Sequence, residues 1–126
     1  MERKNFISPS EPAVTALRKQ SDWEIEYFSS IIKELIDKDF RIYLVANKKQ
    51  YKKLFSNIHL KPLLANLNFI IIDNNFVKYS ILKRKNIDII HLTYYGFRIY
   101  QNKNIPIVST FHDPIPEIYL SKIRLK

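Results

Sequence analysis

The sequence predicts an α/β protein built on a single Rossmann-like, doubly wound parallel sheet. Two observations predict this fold: short apolar runs of the kind that form buried strands, and amphipathic helical patterns between them. Because right-handed βαβ connections place helices on the faces of a parallel sheet, the alternation implies a sheet covered on both faces. We expect the strand order 3-2-1-4-5, with ligands bound beyond the carboxyl ends of the strands.

The size of the chain fits one compact domain over residues 1–126. It has 126 residues, of which 46% are hydrophobic, enough to form a core. No apolar run approaches the roughly 20 residues that span a bilayer. The first residues, "MERKNFISPSEP", carry charges where a signal peptide would be apolar. We therefore expect a cytoplasmic protein.

The first half of the chain contains the clearest helix. A short strand over 5–8 ends at Pro9, and the loop that follows has room for a helical turn. Ser21 and Glu24 have the spacing of a capping box, which predicts a helix start there. From there to residue 38, apolar residues recur every three or four positions and form one stripe. Members of that stripe are Phe28, Ile31, Ile32, Leu35 and Ile36.

The remaining elements alternate in the same way. The sequence predicts strands over 41–47, 68–74, 87–95 and 105–111. A basic helix, "KKQYKKLFSN", lies between the first two of these strands, and a lysine-rich helix, "FVKYSILKRKN", precedes the third. The resulting order is β-α-β-α-β-α-β-loop-β.

Composition excludes several classes of chemistry. The chain has no cysteine, so a disulfide, a thiolate metal site and a cysteine nucleophile are all excluded. Gly96 is its single glycine, so neither a dinucleotide-binding G-x-G-x-x-G turn nor a P-loop can form. With three histidines and no cysteine, we expect no metal site and no cofactor.

Polar residues interrupt two predicted strands near their carboxyl ends. His112 and Asp113 follow the apolar run "IPIVSTF", and His91 lies toward the same end of the preceding strand. In a doubly wound sheet such positions face the ligand crevice. A purely structural alternative exists for each histidine: His112 could bond a neighbouring carbonyl, and His91 is embedded in an apolar strand.

The last third of the sequence resembles the GT-B-fold glycosyltransferases of the group 1, or family 4, type. Residues 86–95, "NIDIIHLTYY", resemble the family's D-I/V-V-H strand and its aromatic loop. Residues 105–119, "IPIVSTFHDPIPEIY", resemble its P-x-V-x-T-x-H-D strand end. The family usually has glycines after the first strand, whereas this chain has Ser8, Pro9 and Ser10.

The resemblance implies a hexosyltransferase that moves a sugar from a nucleotide-sugar to an acceptor. Family members use two Rossmann-like domains, and the N-terminal one mainly handles the acceptor. This chain would be that acceptor-side domain, incomplete and inactive alone. A nucleotide-sugar would bind only with a second domain or a partner subunit carrying the C-terminal half. The expected acceptor is a sugar or a lipid-linked molecule, and the resemblance allows peripheral contact with the inner face of the membrane.

The resemblance also assigns site residues. His112 and Asp113 would be catalytic, at the floor of the cleft. The loop after the first strand would line the acceptor side with Ser10 and Glu11. Further substrate-binding candidates are Tyr94, Tyr95 and Glu117. The alternative for the tyrosines is the rim of the core, and for the glutamates a solvated surface.

A second hypothesis is a non-catalytic basic module that binds nucleic acid or an anionic membrane surface. Its basis is the net charge of +9, with tyrosines among the lysines. It requires the basic residues to converge on one surface. One group is Lys48, Lys49, Lys52 and Lys53, and the other is Lys78, Lys83, Arg84 and Lys85. The sequence allows the two helices that carry them to be neighbours.

Overall fold

The computed structural model of the chain describes residues 3–74, 76–93, 97–100 and 104–110. Its strands are β1 (Lys4–Pro9), β2 (Phe40–Ala46), β3 (Asn68–Ile71), β4 (Phe76–Lys78), β5 (Ile89–Thr93), β6 (Arg98–Tyr100) and β7 (Ile107–Thr110). Its helices are α1 (Glu11–Arg18), α2 (Asp22–Asp37), α3 (Lys48–Phe55), α4 (Lys61–Leu64) and α5 (Tyr79–Arg84).

Five of the strands form a parallel sheet in the order β3-β2-β1-β5-β7. Counting only these strands, the order is the predicted 3-2-1-4-5, so the prediction of a Rossmann-like α/β sheet is confirmed. The chain runs outward from β1 to β3, then returns to the centre and continues through β5 to β7. The direction of winding therefore reverses between β1 and β5, which is the topological switch point of the sheet.

Within the described residues, the protein has two separate hydrophobic cores, one on each face of the sheet, and alternate strand residues belong to each. On β2, Ile42 and Leu44 pack with α1, α2, α3 and α4, whereas Val45 packs with α5. Successive strand residues point to opposite faces of a sheet. The first four helices therefore cover one face of the sheet and α5 covers the other, with the apolar stripe of each helix turned inward.

Helix α2 confirms the predicted stripe but not the predicted cap. Ile32 is 3% exposed, and Phe28 and Leu35 pack against the same core. The side chain of Ser21 makes no capping hydrogen bond at the start of α2, so the capping box predicted there is wrong. The Ser21 carbonyl still accepts the first helical hydrogen bond, from the Ile25 amide at 3.1 Å. Burial of the stripe, not the cap, positions this helix.

Two elements differ from the sequence prediction. The segment after β1 is a two-turn helix, α1, and not a loop with one turn; Pro12 suits a helical first turn, and the small Ala13 and Ala16 are buried. The lysine-rich helix begins at Tyr79, because Phe76–Lys78 instead forms β4, which pairs in parallel with β6. Val77 of β4 is fully buried, and a buried β-branched residue favours the extended conformation of this segment.

Within the described ranges, every helix is too short or too polar to span a lipid bilayer.

Candidate functional site

The switch point carries a polar pair that joins its two strands. Ser8 lies near the end of β1 and His91 lies in β5, and Ser8 Oγ is 2.8 Å from His91 Nδ1. The strands pair in parallel with Ile7 beside Ile90, which places Ser8 next to His91. A hydrogen bond of this length is well formed. The pair therefore lies at the switch point, shortly before the carboxyl ends of the two strands, beyond which doubly wound sheets bind ligands.

The imidazole ring of His91 is held on a second side by an aromatic ring. Its centroid is 5.7 Å from that of Phe6, and the two planes differ by 25°. Phe6 packs against the core under α1 to α4, so His91 lies on that face of the sheet. Ser8 is only 7% exposed, which leaves little surface for a nucleophilic attack. The serine hydroxyl therefore serves to orient the ring.

The loop after β1 places its two predicted site residues differently. Ser10 is fully buried, and its backbone N–H donates to the Val45 carbonyl at 2.9 Å. The Ser10 Oγ finds no hydrogen-bond partner in the part of the chain that the structure describes. Glu11 is partly exposed and accepts a hydrogen bond from the Gln50 side chain. Of the two, Glu11 is the one whose side chain reaches solvent.

A side-chain network ties this loop to the loop after β2. Asn47 and Gln50 form a complete capping box at the start of α3, with bonds of 2.8 and 3.0 Å. Gln50 also donates to Glu11, and Glu11 pairs with Arg18 across 3.6 Å. The network fixes α1 against α3 at the carboxyl edge of the sheet.

A groove of about 410 Å³ runs between α1 and α3. Its lining residues are Val14, Arg18, Asn47, Lys49, Gln50 and Lys53. Three of the six are cations, and none is a carboxylate.

The other predicted site residues lie outside the described residues. These are His112, Asp113, Tyr94, Tyr95 and Glu117. Among the residues that are described, no group of three or more His, Asp or Glu side chains could hold a metal ion.

Sequence reasoning missed three features of this region. The Ser8–His91 bond depends on which strands are neighbours, and a serine in an apolar strand carries no local signal of it. The capping box at Asn47 was visible as N-x-x-Q directly after a strand. The i, i+4 spacing of Lys49 and Lys53 was visible as well, but the groove beside them was not.

Comparisons with protein-family models, with curated proteins and with solved structures found no match for this chain.

Proposed function

We propose that this chain is the acceptor-side domain of a GT-B-fold glycosyltransferase resembling the group 1, or family 4, enzymes. Such a domain binds the hydroxyl-bearing acceptor beyond the carboxyl ends of its parallel strands. The sugar donor binds a second domain, supplied by another segment or by a partner chain. The roles of His112, Asp113, Tyr94, Tyr95 and Glu117 are proposed from the sequence alone.

The observation that carries the proposal is the polar pair at the switch point. Ser8 and His91 bridge β1 and β5 there, and Phe6 stacks on the imidazole. His91 belongs to "NIDIIHLTYY", one of the two motifs on which the resemblance depends. His91 is partly buried, and an imidazole with a fixed ring plane can donate to or accept from a sugar hydroxyl, depending on its tautomer.

The loop after β1 adds a carboxylate to the same edge of the sheet. Glu11 is held by Gln50 and Arg18. Ionised carboxylates accept hydrogen bonds from hydroxyl groups, and bonds to a charged group are stronger than neutral ones. A carboxylate and an imidazole on neighbouring loops and strands suit recognition of a polyhydroxylated ligand.

The placement of the lysines disfavours the non-catalytic alternative. Leu54 of α3 lies in one core and Leu82 of α5 lies in the other, so the two helices cover opposite faces of the sheet. The expectation that these two helices could be neighbours is therefore wrong. Placement of the two lysine groups on opposite faces argues against one basic surface that binds nucleic acid through both groups.

The test is a titration of isotopically labelled protein followed by NMR. Saccharide acceptors should shift the His91 imidazole and Ser8 amide signals, whereas nucleotide-sugars should shift neither, because the donor site belongs to a second domain. His91→Gln should weaken saccharide binding. His59→Gln is the matched control, because His59 is exposed in the loop before α4.

A radiolabelled sugar-transfer assay on the isolated chain complements the titration. We expect no turnover, because stabilising the leaving diphosphate requires positioned cations and amides that the family keeps in its second domain. Robust turnover would show a complete catalyst of another kind. Saccharides that leave the His91 and Ser8 signals unchanged would remove the acceptor-side assignment.

A further inference from the structure

We propose that the groove between α1 and α3 is a binding site for a small soluble molecule bearing a phosphate group. The cations of the groove are Arg18 on α1 and Lys49 and Lys53 on α3. These side chains line the same groove from two different helices. The groove shares Arg18 and Gln50 with the network that holds Glu11. The inference does not require glycosyl transfer, because the phosphate contacts are the three cations and neither Ser8 nor His91 lines this groove.

The two lysines are placed where they repel each other. Lys49 and Lys53 are four residues apart on α3, so their ammonium groups extend from the same side of the helix. Both are exposed, and neither forms an ion pair within the described ranges. Like charges at this spacing destabilise a helix. A bound anion between them would convert that repulsion into attraction.

The third cation forms an ion pair with the network behind the groove. Arg18 pairs with Glu11 across 3.6 Å, and Gln50 donates to the same carboxylate. Three cations beside one carboxylate leave two positive charges without a counterion. A phosphomonoester carries between one and two negative charges near neutral pH. The charge of the groove therefore matches one phosphate group.

The size and floor of the groove indicate a ligand larger than inorganic phosphate. Its volume of about 410 Å³ lies within the range of small-molecule sites. Val14, which is 5% exposed, supplies an apolar contact beside the cations. The backbone N–H of Gln50 donates to Asn47 Oδ1, and the side-chain amide of Gln50 donates to Glu11. Recognition would therefore rest on the cationic side chains for the phosphate and on Val14 for the body of the ligand.

Isothermal titration calorimetry tests the site with defined probes. Glucose 1-phosphate and adenosine 5′-monophosphate should bind, and glucose and adenosine, which lack the phosphate, should not. The variant Lys49→Gln/Lys53→Gln should weaken binding by at least about tenfold, because two charge-assisted contacts are lost. Circular dichroism melting should show this double variant folded, since the substituted side chains are exposed.

The chain offers a matched control on the same helix. Lys48→Gln/Lys52→Gln removes the same charge at the same spacing, but neither residue lines the groove. This variant should bind the phosphate probes nearly as well as the unmodified protein. Equal losses in the two variants would show a general electrostatic effect and overturn the proposal. Absence of binding would also overturn it, as would binding only to duplex DNA or to vesicles containing phosphatidic acid.

Discussion

Two buried serines near the end of β1 make opposite contributions to stability. Ser8 Oγ is bonded to His91 Nδ1 at 2.8 Å, whereas Ser10 Oγ has no partner among the described residues. A formed hydrogen bond contributes about 0.5–1.5 kcal/mol, and an unsatisfied buried group costs about 1–3 kcal/mol. The same residue type, two positions apart, thus stabilises in one case and destabilises in the other.

Alanine at each position should separate the two effects. Ser8→Ala should lower the free energy of unfolding by about 1–2 kcal/mol, because the bond is lost and the imidazole nitrogen keeps its desolvation cost. Ser10→Ala should leave the free energy unchanged or raise it by about 1 kcal/mol, since only an unpaired hydroxyl is removed. Urea denaturation followed by circular dichroism measures both.

Ser30→Ala is the control for these variants, because Ser30 is exposed on α2. It should change the stability little. Equal losses for Ser8→Ala and Ser10→Ala would mean that the Ser10 hydroxyl has a partner after all.

For single residues, the sequence predicts which side chains are buried but not which distant side chains form hydrogen bonds with each other. The apolar stripe of α2 could be read from spacing alone, because a helix has a fixed period, and Ile32 is buried as predicted. The contact between Ser8 and His91 joins residues 83 positions apart. It becomes visible only when β1 and β5 are known to be neighbours.

Helix ends show that a sequence pattern and its hydrogen bonds can differ. Ser21 and Glu24 have the capping-box spacing, yet Ser21 makes no side-chain bond at α2. Asn47 and Gln50 form both bonds of the box at α3. The two helix starts differ in a further contact: the Gln50 side chain also donates to Glu11, which helps to order the first turn of α3.

The two caps give a direct prediction. Asn47→Ala should lower the free energy of unfolding by about 1 kcal/mol, because the Gln50 amide loses its acceptor. Ser21→Ala should lower it much less, because no side-chain bond is lost. Chemical denaturation of both variants provides the comparison. A larger loss for Ser21→Ala would contradict the hydrogen bonding described at these two helix ends.

Element type was harder to predict where tertiary contacts decide it. The run "FVK" reads as the start of an amphipathic helix, yet it forms β4 beside β6. A three-residue strand has too little periodicity to be recognised from the sequence. Its pairing with residues 98–100 fixes its conformation, and these partner residues lie over 20 positions further along the chain.

The whole molecule is organised by its switch point. The alternation of strands and helices with right-handed connections predicts a doubly wound parallel sheet, and the observed order is one of the common orders of such sheets. The side of the sheet on which each helix lies follows from the same order. Reversal of winding at β1 places α3 and α5 on opposite faces, which separates the two lysine groups.

This separation predicts how the protein binds polyanions. Four lysines lie on α3, and the second group of four cations lies on or beside α5. Because one DNA duplex can contact only one face, a plot of log K against log salt should have a slope of about −4, and not the slope of about −7 expected for eight converging cations. Fluorescence anisotropy over a series of KCl concentrations measures this slope.

Variants extend the same measurement to each face. Replacing the α3 group by Gln, at Lys48, Lys49, Lys52 and Lys53, should leave binding through the other face with a similar slope. The converse replacement of Lys78, Lys83, Arg84 and Lys85 should do the same. Only the combined variant should lose most of its affinity, since then neither face attracts phosphates. A slope that falls by about half in either single-face variant would show that the two groups act on one surface, which opposite placement of α3 and α5 forbids.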